Sequence, residues 1–72
     1  MPNLPSLKAR EVVSALKRAG FYEARQRGSH LQLKRGNLLV TVPMHSGDLN
    51  PSTLRSIIRQ ARMTVDEFLE LL

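Results

Sequence analysis

A chain of 72 residues makes one small domain, 1–72, and a domain that size buries only about 60% of its unfolded surface, which excludes an enclosed site for a large substrate. It has no cysteine, which excludes disulfides and thiolate metal sites. It also has no apolar run suited to a signal peptide or a membrane span, so a cytoplasmic protein with no membrane contact is expected. The net charge of +5 is uneven: residues 24–47 hold Arg25, Arg27, Lys34 and Arg35 and no acid, whereas Asp66, Glu67 and Glu70 crowd the C-terminal end, which points to a polyanionic partner for the middle of the chain.

Residues 1–5 carry two prolines and read as a loose arm. Ser6 is placed to cap a helix over about 7–19. In that helix Ala9, Val12, Val13, Leu16 and Ala19 share one face, and Lys8, Arg10, Glu11, Lys17 and Arg18 lie largely on the other. Gly20 stops it in the left-handed conformation that glycine adopts at little cost.

Three strands follow. Phe21 to Arg27 alternates poorly and reads as an edge strand, where its arginines discourage further pairing. Gly28-Ser29 breaks it. In the second strand Leu31 and Leu33 point one way, and His30, Gln32 and Lys34 the other. Arg35-Gly36, alone or with Asn37, supplies the next turn. In the third strand Leu38, Val40 and Val42 share a face, and Leu39 and Thr41 take the opposite one, until Pro43, which cannot donate to a ladder, ends it. If the leucines face helices, His30 faces solvent.

His45-Ser46-Gly47-Asp48 reads as a loop. Asn50-Pro51 is a helix start, with Leu54, Ile57, Ile58 and Ala61 as the buried stripe and Arg55, Arg59 and Arg62 outside. Thr64 to Glu67 fits a capping box before a last helix with Val65, Phe68, Leu69 and Leu72 inward. The order α-β-β-β-α-(α) predicts an α+β fold like the double-stranded-RNA-binding domain: a three-stranded antiparallel sheet with helices on one face.

Chemistry rests on the two histidines. Their spacing matches no metal-binding pattern, so no metal or cofactor is expected. Ser29 and His30 are neighbours in a strand and point to opposite faces, so they do not form a nucleophilic pair. His30 beside Arg25, Arg27, Lys34 and Arg35 suits RNA cleavage. A base takes the ribose 2′-proton, the 2′-oxygen attacks phosphorus, and cations or amides hold the added charge. Gly28 lets a phosphate approach the backbone. On residue chemistry alone, His30 is either that base or an idle surface histidine. His45 either holds its loop by a hydrogen bond or serves as a second acid/base or phosphate contact. Tyr22 and Met44 are read as packing residues rather than base-stacking platforms, since one tyrosine, two phenylalanines and no tryptophan give a single-strand stacking surface little support.

Three segments carry a family resemblance: Gly28-Ser29-His30, Val42-Pro43-Met44-His45-Ser46-Gly47 and Ser52 to Ala61. In this order, with the helix from Glu11 to Phe21 and the segment from Thr64 to Phe68, they resemble the HicA-type (YcfA-like) mRNA interferase toxins over roughly 8–70. The resemblance implies a metal-independent endoribonuclease that cuts mRNA, a HicB-type antitoxin partner that blocks the site, and a catalytic role for His30. Gly28 and Ser29, of the same Gly-Ser-His motif, are counted with the site, and on charge Arg25, Arg27, Lys34 and Arg35 are the basic residues expected to bind RNA. The chain departs from many members at Leu31, where they have a second histidine, and at Ser52-Thr53, where they have Gly-Thr. Two other functions fit the same residues: a non-catalytic RNA-binding module, and an interaction domain that docks a protein on its open sheet face.

Overall fold

The computed structural model describes residues 4–72. Its elements run α1 (Ala9–Arg18), β1 (Tyr22–Arg27), β2 (His30–Arg35), β3 (Leu38–Pro43), α2 (Pro51–Gln60) and α3 (Val65–Leu69). The strands form one antiparallel sheet in the order β1-β2-β3. The Cα extents of 33 × 27 × 17 Å suit two layers, sheet and helices. This is the expected α+β arrangement.

The core lies between the helices and the inner face of β2 and β3. Leu31 and Leu33 of β2 and Val40 and Val42 of β3 are buried with Val12, Ala15 and Leu16 of α1, Leu54, Ile57 and Ile58 of α2, and Phe68 of α3. The helix layer stops short of β1, where all six residues are exposed. It therefore covers two strands, not three.

The ends of α1 depart from expectation at one side and match it at the other. Ser6 is exposed and does not cap; Lys8 is the N-cap. The reason lies in the preceding backbone. The Leu7 carbonyl accepts from Leu49 N–H at 2.8 Å and Lys8 bridges Asp48, so both residues are held extended. Glu11 then turns back to accept from Lys8 N–H at 2.9 Å. At the other end, Phe21 N–H donates to the Leu16 carbonyl and Gly20 N–H to that of Lys17, both at 3.0 Å, with Gly20 at φ 99°. That pair of bonds is a Schellman motif, sealed by two buried residues, Leu16 and Phe21.

Of the expected N-terminal arm, residues 1–3 lie outside the described residues, and Leu4 packs against the core rather than hanging loose. Arg35 still pairs with Leu38, so the turn is Gly36-Asn37, with Asn37 in it and Arg35 left in the strand. Pro43 belongs to β3 and pairs with His30. Thr41 N–H points off the sheet edge to the Gln60 side chain. By alternation the missing N–H of Pro43 lies on that same outer edge, where no ladder bond is lost. Leu72 is exposed, and Leu71 packs against the core instead, because the chain leaves helical spacing after Leu69.

Asn50 caps α2 by accepting from Ser52 N–H at 2.8 Å. α2 ends in the same Schellman motif as α1: Met63 N–H reaches the Ile58 carbonyl and Arg62 N–H that of Arg59. Here the left-handed residue is Arg62, at φ 59°. A side chain there costs about 1–2 kcal/mol, against about 0.5–1 kcal/mol for the greater chain entropy of glycine. Arg62→Gly should therefore raise stability by about 0.5–1 kcal/mol, read as a higher urea midpoint at unchanged slope. A lower midpoint would contradict the strain.

Thr64 and Glu67 form the expected capping box of α3, with Thr64 N–H to Glu67 Oε1 at 2.8 Å and Glu67 N–H to Thr64 Oγ1 at 3.1 Å. The Thr64 backbone N–H, and after it the Thr64 side chain, hold the Glu67 carboxyl below its usual value. A carboxyl depressed on folding contributes stability that is complete above its unfolded pKa and is lost as pH falls through its folded one. Glu67→Gln should keep the cap geometry and flatten this part of the acid dependence of unfolding. Unchanged acid dependence in the variant would refute the coupling.

Candidate active site

The site is built by the pleat of β2. Leu31 and Leu33 are buried, so His30, Gln32 and Lys34 point to the opposite, uncovered face. Register adds the neighbouring strands. His30 pairs with Arg27 on one side and Pro43 on the other. Gln32 pairs with Arg25 and Thr41, and Lys34 with Tyr22 and Leu39. Residues directly opposite share a face, so the open face is three rungs: Arg27–His30–Pro43, Arg25–Gln32–Thr41 and Tyr22–Lys34–Leu39.

Arg25 and Arg27 reach this face through a bulge. The β1–β2 register shifts between Glu23 and Arg25, leaving Ala24 as the extra residue. Glu23 pairs with Leu33 on the helix side and forms an ion pair with Lys17 of α1. Without the extra residue the period of two would carry both arginines to that helix side. The bulge also explains the poor alternation of this segment.

Gly28 and Ser29 make the two-residue turn between Arg27 and His30. Gly28 has φ 54° and no atom within 4 Å of where a Cβ would stand. Positive φ at the first central position suits the tight hairpin turns that match strand twist. Met44 N–H donates to the Ser29 carbonyl, so the turn is tied to the end of β3. His30 therefore sits at the rim of the face, beside a fixed turn and open to solvent.

Arg35 leaves the group. It lies on the helix side of β2, where its Nη1 donates to the Ala19 carbonyl at 2.7 Å and its guanidinium stands 5.0 Å from the Phe21 ring centroid. It satisfies a C-terminal carbonyl of α1 and locks that helix to the sheet. His45 is exposed in the loop after β3, and its Nδ1 lies 3.1 Å from the Ser46 carbonyl. A carbonyl only accepts, so this contact assigns the proton to Nδ1. His45 lines a shallow depression of ≈ 270 Å³ with Lys8, Arg10, Ser46 and Gly47, which His30 does not line. Loop fixing, the first of its two expected roles, is the one this contact fits.

Tyr22 departs from the packing role expected of it, since it is exposed on the third rung opposite Leu39, which is exposed too. Met44 does pack against the core. Leu39 and Thr41 stand on the open face, as the alternation of the third strand predicts, whereas the place of Tyr22 there follows only from cross-strand register. Among the described residues no group of three or more side chains is arranged to hold a metal, and no helix is long and apolar enough to cross a membrane.

Arg35→Ala should lower stability by about 1 kcal/mol through the lost carbonyl bond and ring contact. It should leave any polyanion affinity of the open face nearly unchanged, whereas Lys34→Ala should do the reverse. Thermal melts and a binding titration on both variants separate the two roles.

No curated protein matches the chain. The family model described as the HicA toxin of bacterial toxin–antitoxin systems matches residues 9–63, from the first residue of α1 to just past the end of α2. The match takes in every element that builds the open face, and by it the chain belongs to the HicA toxin family.

Proposed function

We propose that this protein is a metal-independent endoribonuclease that cuts mRNA, the toxin of a type II pair, with His30 as general base. The observation that carries the reading is the open face itself. It presents a solvent-exposed histidine beside Arg25, Arg27 and Lys34, and no acidic side chain shares it. His30 takes the proton of a ribose 2′-hydroxyl, and the 2′-oxygen attacks the adjacent phosphorus. The 5′-oxygen leaves and takes up a proton from solvent. The products are a 2′,3′-cyclic phosphate and a free 5′-hydroxyl. Arg25, Arg27 and Lys34 hold the phosphate backbone and offset the charge that grows on phosphorus, and the Gly28-Ser29 turn leaves room for a phosphate against the backbone. The substrate supplies its own nucleophile, which suits a shallow site.

The partner is a HicB-type antitoxin that covers the His30 face with acidic groups and competes with RNA. A flat cationic face is open to such direct electrostatic blocking.

The His30 side chain is exposed and makes no hydrogen bond or ion pair among the described residues, so His30→Ala should shift stability by no more than about 0.5 kcal/mol. Cleavage should fall by about 10²-fold or more, while RNA binding persists with its salt dependence intact. The measurements are a melt, a cleavage assay with analysis of product ends, and a binding titration at several salt concentrations. A folded His30→Ala protein that cuts RNA at the unsubstituted rate sinks the assignment and leaves an RNA-binding module.

A further inference from the structure

The third rung of the open face, Tyr22–Lys34–Leu39, differs from the other two. Tyr22 is 57% exposed and Leu39 45%, and with Leu72 they are the large hydrophobic side chains left exposed among the described residues. Neither is needed for the core, which closes beneath them with Leu33 and Val40 at 0% exposure. The bulge at Ala24 keeps Tyr22 in phase with Arg25 and Arg27, so aromatic and cationic groups line one surface. At about 3.3 Å per residue the rung lies roughly 13 Å along β2 from His30. Its outer members, two strand spacings apart, are separated by roughly 9.5 Å, with the Lys34 stem between them.

An exposed aromatic ring in a row with a lysine, on a face with no acidic side chain, is the combination that binds single-stranded nucleic acid: a base stacks on the ring while the cation holds its phosphate. Resting on the reading of the face as an RNA site, we propose that Tyr22–Lys34–Leu39 is a base-binding rung for single-stranded RNA. Tyr22 stacks one base, Leu39 gives it an apolar floor, and Lys34 takes the adjoining phosphate. The base held here is not one of those flanking the bond that is cut. This rung positions the strand and contributes to the choice of cleavage site.

Tyr22 is the one tyrosine, and the chain has no tryptophan, so its emission reports on this rung alone. The probe is a short single-stranded oligoribonucleotide, 2′-fluoro throughout, which lacks the attacking hydroxyl and keeps its bases. Binding should quench the Tyr22 emission. Tyr22→Phe should retain affinity within about twofold, and Tyr22→Ala should weaken it by about 5- to 150-fold, the range of one lost base stack. On cleavable RNA, Tyr22→Ala should also change the distribution of cut sites. Binding without quenching, with Tyr22→Ala as tight as the unsubstituted protein, overturns the rung and leaves the RNA reading standing. No binding of the unsubstituted protein to RNA overturns both. Unchanged RNA affinity in Tyr22→Ala, with loss of inhibition by the antitoxin, makes the rung a protein contact and refutes the proposal.

Discussion

The site depends on the burial of four side chains, Leu31 and Leu33 on β2 and Val40 and Val42 on β3, against the helix layer. Each contributes about 1.5–3 kcal/mol when removed from water, and together they fix which way the sheet faces. The side-chain period of a strand is two, so a slip of one residue would expose all four and bury His30, Gln32 and Lys34. The stability of the core and the orientation of the site are thus one constraint. It also divides labour, since no polar or charged residue is buried among those described. Residues on the open face can vary in chemistry while the core stays intact.

What the pleat does for β2, the bulge does for β1. All six residues of β1 are exposed, so hydrophobic burial does not set its phase. The phase is set by two things: the short Gly28-Ser29 turn at one end, and the contact of Glu23 with Lys17 at the other. Ala24 absorbs the mismatch between them. The result is an edge strand with arginines on one face and a twist at its middle, both of which discourage pairing with another strand.

The well-read parts of the sequence are those where burial imposes a period. α1 and α2 show it at 3.6 residues and β2 and β3 at two, and Asn50-Pro51 and Thr64-Glu67 are local signals that hold. From Leu31 and Leu33 alone the solvent-facing side of His30 followed. The misread parts are those decided by contacts distant in the chain. Lys8 replaces Ser6 as cap because of residues 48 and 49. Arg35 looked like one more cation of the basic stretch, but its partners are Ala19 and Phe21, from the end of α1. Tyr22 has the composition of a packing residue and the register of an exposed one, because Tyr-Glu-Ala-Arg-Gln-Arg carries no alternation that would disclose a bulge.

The same contacts explain how a chain of net charge +5 presents a face with no acid on it. Glu11 and Glu67 are engaged at helix N-termini, where the backbone amides and the helix dipole favour them. Glu23 is turned to the helix side by its place before the bulge and pairs with Lys17. Asp48 lies beside the start of α1 through its bridge to Lys8. Four of the six acids are thus kept off the open face, Glu11 and Glu67 by helix caps, Glu23 by its helix-side register and Asp48 by its place beside α1. Arg25, Arg27 and Lys34 have no carboxylate within ion-pair distance among the described residues. Cations left unpaired on a water-facing sheet cost little in the free protein because solvent and salt screen them. They supply attraction when a polyanion displaces that salt. A domain too small to enclose a ligand thereby presents a cationic face through charge segregation alone, and the segregation follows from helix caps and a one-residue bulge rather than from an enclosed pocket.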